Sequence, residues 1–387
     1  MSAQNMEAQE DILIVDDNPA NLRLLSQMLL GSGYNVRAVK GGGRALESIR
    51  ALPPSLILLD IRMPEMDGYE VCERLKADEN TQDIPVIFIS ALDEIQDKVK
   101  AFEIGGVDYI TKPFQLEEVL VRTQTHLALR KLQKQLQETN DKLARELDLA
   151  GNVQTSFMPR NLPEIPGWQF SVELKPARET SGDFFDINQL PNGEMVILVA
   201  DVLDKGVGAA LFMALSWALF RTYAEELSTQ PEKVFSEVNR HILEDTHAKQ
   251  FVTSFFGLLN PTNGELVYCN AGQTPPILMR SEGENQHELL MNTGPPLGLF
   301  EDQVWERRSV TVQPGDVLVL YTDGITEAQN PQGGFFSVER LVESVKKSAR
   351  DSAQDIQNNI FYEVDRFVGQ SAQDDDIALI VITRADM

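Results

Sequence analysis

The sequence predicts a doubly wound α/β domain, a long helical linker and then an α+β sandwich. Three observations carry that expectation. Residues 11–127 alternate short apolar runs with amphipathic stretches five times over. From Leu116 a helical pattern continues without a breaker to Gly151. Beyond Pro163, many strand-like pieces are interrupted by a few grouped helical ones, the layout of sheets covered by helices. With 387 residues there is room for two cores and a connector.

In the first third, Ile12–Val15 is a short apolar run that ends at Asp16-Asp17. Asn18-Pro19 then opens a helix with an apolar side of Leu22, Leu25, Met28 and Leu29, stopped by Gly31 and Gly33. Further strands are expected at 36–39, 56–59, 86–89 and 107–110, with helices near 43–52, 69–77, 93–104 and 115–127. Near-continuous apolar strands between helices make a buried parallel sheet, and ligands bind such sheets at the carboxyl ends of strands. Asp16, Asp17 and Asp60 fall at those ends, and Lys112-Pro113 follows the fifth strand. A lone Asp after a strand is usually a cap or turn residue. Three, with a lysine, point instead to a hard cation and phosphate chemistry. Gly41-Gly42-Gly43 lacks the Gly-Lys-Ser/Thr ending of a phosphate loop and reads as a plain turn.

In the connector, Leu129, Leu132, Leu136, Leu143 and Ala150 fit a seam of alternating three- and four-residue steps, weakened by Thr139 and Glu146. Arg130, Lys131, Lys134, Glu138, Lys142 and Arg145 mark a wet face. Two arrangements fit: one amphipathic helix packed on its own chain, or a parallel coiled coil that makes the protein a homodimer. Pro159 and Pro163 mark the start of the next domain. The divisions expected are 10–127, 128–158 as the linker, and 159–387.

The last domain is expected to place strands at 168–174, 184–189, 195–200, 253–259, 265–269, 276–280, 304–312, 316–321 and 377–383. Its helices are expected near 207–227, 231–248, 337–347 and 353–368. Again acids gather at strand ends: Asp183 in Ser181-Gly182-Asp183, Asp201 after Met195–Ala200, Asp323 just past Val317–Tyr321, and Asp375 ahead of the last strand. Singly each is a turn acid; together they point to a metal centre.

Bulk numbers bound the partners. Hydrophobic residues make up 42% of the chain, enough for both domains to fold. The formal net charge of −25 repels phosphate backbones, so no nucleic acid partner is expected. Cys72 and Cys269 form no metal-type pair, and none of His126, His241, His247 and His287 has zinc spacing. The N-terminus lacks the basic and apolar regions of a signal peptide, and no run of roughly 18 apolar residues is read as a membrane span. The expectation is a cytoplasmic protein without a membrane partner.

The motifs IVDDN, LLDIRMPEMDG, FISA and DYITKPF closely resemble the response-regulator receiver domain. That resemblance implies that Asp60 is phosphorylated by a histidine kinase, with Mg²⁺ held by Asp16, Asp17 and Asp60. Lys112 would neutralise phosphate oxygens, Ser90 and Tyr109 would form the switch pair, and Lys112-Pro113 matches a cis peptide. The segments PARETSGDFFD, VADVLDKGVGAALFMA, GDVLVLYTDGITEA and AQDDDIALIVI resemble the PPM serine/threonine phosphatases of the SpoIIE/RsbU-like branch. This implies two Mn²⁺ or Mg²⁺ ions that present a water to phosphorus. Asp201 and the Val202 carbonyl, with Asp183, Asp323 and Asp375, would hold them, and Gly182, Gly206 and Gly324 would allow close backbone approach. The branch's usual substrate is a phosphorylated anti-anti-sigma factor of the STAS type. Leu203-Asp204 stands where the family often has Ser-Gly, Gln273 where it has His, and Ala378 where it has Thr. The alternative is a phosphatase-like adaptor, similar in domain order to the RssB proteins, that binds its partner and turns over little.

Overall fold

The structure, a computed structural model, describes residues 10–91, 95–159, 161–245, 250–281 and 287–385. His247, the start of the helix expected at 93–104 and the last residues of that expected at 231–248 lie outside the described residues. The chain divides into two compact units at Asp141 and Lys142.

In the first unit, β1 (Asp11–Val15), α1 (Pro19–Leu30), β2 (Asn35–Val39), α2 (Gly42–Ala51) and β3 (Leu56–Asp60) follow in strict alternation. They continue as α3 (Gly68–Lys76), β4 (Val86–Ser90), α4 (Ile95–Glu103), β5 (Asp108–Thr111) and α5 (Leu116–Thr155). The five strands form one parallel sheet in the order β2-β1-β3-β4-β5, so the crevice at the switch of strand order lies over β1 and β3. Strand alternation feeds two cores. Leu13 and Val15 pack with Ala45, Val71 and Leu75, while Ile12 and Ile14 pack with Leu25, Leu29 and Val119. Asn18 caps α1 by accepting from Ala20 N, as the Asn-Pro pair predicts.

The helix α5 runs from the receiver through the linker and ends at Thr155, ahead of Pro159. Gly151 does not break it; instead a Cβ there would meet the Glu179 carbonyl at 2.1 Å, so glycine allows this turn to press on the chain ahead of Asp183. Within the first unit, Arg130 anchors the helix by donating to the carbonyls of Pro54 and Ser55. Leu129, Leu132, Leu136 and Leu143 all stand about half exposed or more.

The second unit opens with β6 (Trp168–Lys175), β7 (Phe184–Gln189) and β8 (Met195–Val202), then α6 (Val207–Glu226) and α7 (Pro231–Asp245). The strands β9 (Val252–Leu259), β10 (Glu265–Ala271), β11 (Ile277–Met279), β12 (His287–Leu289), β13 (Arg308–Thr311) and β14 (Val317–Tyr321) follow. It closes with α8 (Asp323–Thr326), α9 (Ser337–Ser348), α10 (Ala353–Val368) and β15 (Ile377–Arg384). Two antiparallel sheets result, ordered β13-β10-β9-β8-β7 and β12-β11-β14-β15-β6. The helices α6 and α7 cover the first, and α9 and α10 the second. Period-two alternation again decides the layers: Val317, Val319, Tyr321, Leu379 and Val381 face the helices. Leu318, Leu320, Ile380 and Ile382 join the core that includes the first sheet.

Three local expectations are corrected. The strand expected over 304–312 is confined to Arg308–Thr311, because Trp305 leaves the sheet to fill the core with its Nε1 donating to the Pro295 carbonyl. β12 and α8 were not anticipated, being too short to show a period. By length and composition α6 is apolar enough to cross a membrane, since no charge interrupts Val207–Phe220; here it packs on β7, β8 and α7.

Candidate functional site

In the first unit, β1 and β3 deliver Asp16 and Asp60 to one end of the sheet, where both are buried. Lys112 Nζ donates to Asp16 Oδ2 at 3.0 Å and to Asp60 Oδ2 at 2.9 Å. Ligand atoms of Asp16, exposed Asp17 and Asp60 lie within 4.8 Å of one another, the one such group of three among the described residues. Burial raises the Asp60 pKa against the pull of Lys112. Burial opposes the Lys112 charge, but its bonds to Asp60 and Asp16 outweigh that and raise its pKa. Asn21 and the Asn18 amide also donate to Asp16, fixing it at the site. Lys112-Pro113 is cis, as the receiver-domain resemblance implied. Ser90 is buried at the end of β4, and Tyr109 lies between Phe102 and the Arg122 guanidinium.

In the second unit, Asp183, Asp201, Asp323 and Asp375 stand where β7, β8, β14 and β15 start or end, near enough for their charges to act on one another. Asp183 and Asp201 lie close enough for each to act on the other's charge. Burial pushes Asp183 well above the usual carboxylate range, reinforced by the charge of Asp201. Burial, then the charge of Asp323, raises Asp201 to about 7. Asp323 is raised by burial and by Asp375. Lys205 is the cation among them: its Nζ lies 2.9 Å from Asp375 Oδ1 and donates to the Asp374 carbonyl. Clustered carboxylates offer oxygen ligands alone, and a hard divalent cation among them would offset the burial and mutual repulsion that raise their pKa values. The fit extends to the backbone. A Cβ on Gly182 would meet the Val202 carbonyl at 2.9 Å and one on Gly324 the Asp376 carbonyl at 1.9 Å, so both must be glycine. Gly206 is required for a different reason, its φ of 84°.

Sequence reasoning missed the residues that hold these acids. Thr322 Oγ1 donates to Asp183 Oδ2 at 2.6 Å. Asp376 is turned away from the ligand position of Asp375: its oxygens accept from Ala177 N and Gly182 N, locking the loop that carries Asp183. Gln154, buried on the last turn of α5, accepts from Ser181 N at 3.0 Å and donates back to the Ser181 carbonyl. The signal was available only in part, since Thr322 and Asp376 each adjoin a candidate ligand. Gln273 is buried structure: it accepts from Thr253 and donates to the Tyr321 carbonyl, joining β9 to β14.

A parallel α/β unit with an acid–lysine pocket and a two-sheet, helix-covered unit with clustered carboxylates define a signalling fusion. The family described as Stage II sporulation protein E (SpoIIE) matches residues 191–385, and the response regulator receiver domain matches 12–124; the chain belongs to the SpoIIE family and carries a receiver domain. It is 32% identical over 321 residues to Protein IcfG of Synechocystis sp., covering 74% of this chain and 50% of that one. It is 28% identical over 263 residues to the phosphoserine phosphatase RsbU of Bacillus subtilis, covering 67% of this chain and 74% of that one. The chain spans about half the length of the first relatives it matches. The solved SiaA-PP2C domain of Pseudomonas aeruginosa superposes with a TM-score of 0.57 at 20% identity, over 64% of this chain and 99% of that domain; it shares the fold.

Proposed function

We propose that the chain is a response regulator whose second unit hydrolyses phosphoserine or phosphothreonine esters on a partner protein. The observation that carries this is the group of buried Asp183 and half-buried Asp201 and Asp323, whose charges repel one another, with Lys205 beside Asp375 and Asp323. Two Mn²⁺ or Mg²⁺ ions would be held by Asp201, the Val202 carbonyl, Asp183, Asp323 and Asp375, and when bound would supply a deprotonated water for in-line attack on phosphorus. The chain's own groups orient that site: Thr322 fixes the Asp183 carboxylate, Asp376 fixes its loop, and Gln154 clamps Ser181. Similarity to a phosphoserine phosphatase supports a phosphoprotein substrate, and the STAS-type class is the reading taken from the resemblance.

In the receiver, Asp60 would attack the phosphoryl group of a histidine-kinase donor to form an acyl phosphate, with Mg²⁺ held by Asp16, Asp17 and Asp60 and Lys112 answering the added charge. Phosphorylation would act through Ser90, Tyr109 and the connector. Leu129, Leu132, Leu136 and Leu143 stand exposed at seam spacing, which supports pairing of the connector with a second copy of the chain. The test is phosphate release from a phosphoserine protein with and without beryllofluoride. The proposal expects turnover and oligomeric state to change together; if both stay constant, the coupling is wrong.

A further inference from the structure

We propose that the apolar surface beside the carboxylate site is where the phosphoprotein docks, and that it selects a segment with apolar residues next to the phosphoserine and basic residues farther out. This rests on the phosphatase reading above and adds the substrate class. Leu203, two residues past Asp201, is 40% exposed. On the first turns of α6, Val207 and Leu211 are one turn apart and 46% and 69% exposed. On the segment that follows Leu297, Leu299 and Phe300 are 43% and 58% exposed.

Backbone pairing places Leu203 and Leu297 beside the chain at Phe251-Val252, and a Cβ on either Gly208 of α6 or Gly298 would touch Gln250 just before it. Leu203 N donates to the Phe251 carbonyl at 3.0 Å, and Val252 exchanges both hydrogen bonds with Leu297. Leu203 and the Leu297–Gly298 segment therefore flank one extended stretch, about two strand spacings (~10 Å) apart. The far side is built: Asn239 Nδ2 donates to the Phe300 carbonyl at 2.9 Å and its Oδ1 accepts from Gly298 N at 2.8 Å. Although α6 is apolar enough to be wholly interior, 39% of its most apolar 18-residue stretch is buried, and Val207 and Leu211 stand exposed. Exposed apolar residues grouped at a reactive site mark contact with another molecule.

Charge selects the occupant. Asp204, Glu301 and Asp302 border the patch, are exposed, and make no side-chain hydrogen bond or ion pair among the described residues. A second copy of a chain with net charge −25 would bring like charges to that rim. A partner with an apolar centre and a basic border matches it, the ordinary anatomy of a protein interface.

The test uses the full chain and two fluorescent phosphoserine peptides of equal length. One has Leu and Phe beside the phosphoserine and Lys outside them; the other has Ser and Gly there, with Glu outside. Binding is read by anisotropy, and p-nitrophenyl phosphate hydrolysis with Mn²⁺ is read separately. The apolar, basic peptide should bind at least about tenfold tighter. The double variant Leu211→Ser, Phe300→Ser should lose that preference while its p-nitrophenyl phosphate rate and its melting temperature hold. Equal binding of both peptides, or a preference that survives the double variant, overturns the docking surface. So does a variant that changes the sedimentation of the protein instead, which would make the patch a self-interface. Failure of p-nitrophenyl phosphate hydrolysis counts against the phosphatase reading, and anisotropy reads docking independently of it.

Discussion

Thr322 Oγ1 donates to Asp183 Oδ2 at 2.6 Å while accepting from Ala378 N at 2.8 Å, so one hydroxyl joins the ends of β14 and β15 to a carboxylate 139 residues earlier. Groups that orient a ligand without touching the metal typically change metal affinity by ~10–100-fold. Thr322→Val should weaken Mn²⁺ binding by about tenfold with the fold intact, and Thr322→Ser should restore it. Titration calorimetry reads the affinity directly. Unchanged binding in Thr322→Val would remove Thr322 from this role.

Lys205 competes with any cation for Asp375. In Lys205→Met, Asp375 loses its ion pair and Asp323 loses a nearby positive charge, so Mn²⁺ should bind several-fold more tightly. Weaker binding would mean that the lysine chiefly holds the 374–376 segment in place.

Asp204 adopts a φ of 76°, a conformation that glycine takes freely and most side chains resist. The family's usual glycine at this position is thus explained by backbone geometry. Asp204→Gly should raise stability by up to about 1 kcal/mol through relief of strain, read as a higher melting temperature. A lower one would show that the carboxylate contributes more than its conformation costs.

Asp186, on β7, is buried with Oδ1 unpartnered and Oδ2 3.6 Å from Arg221. Burial raises its pKa from 3.8 to about 6. The folded state therefore binds the proton more tightly than the unfolded state. Stability falls as pH rises from about 4 through about 6, by up to roughly 3 kcal/mol. Asp186→Asn abolishes that loss, so the variant's gain in melting temperature should be larger at pH 7.5 than at pH 4.5. A gain that ignores pH would contradict it.

What could be read in the sequence follows the range of the interaction. Period and punctuation place β1 to β5 and the long helices because apolar runs, caps and turn residues are local signals, whereas which core Leu13 or Ile14 joins is decided by the layers on either side. The candidate acids were legible because strand ends are local too. Thr322 and Asp376 were not, since their partners lie 139 and 194 residues away and only the sandwich brings them together. Why Gly151 stands inside α5 was hidden for the same reason: Glu179, 28 residues on, requires it. Gln154 carried no local signal at all.

The central claim is that the acids of the second unit form a metal-dependent hydrolytic site. Its most direct test is hydrolysis of p-nitrophenyl phosphate by the full chain with and without Mn²⁺, beside Asp201→Ala and Asp323→Ala. Activity that requires the metal and disappears in both folded variants is the predicted result. Turnover that persists in either variant, or its absence from the metal-loaded wild-type protein, would contradict the claim.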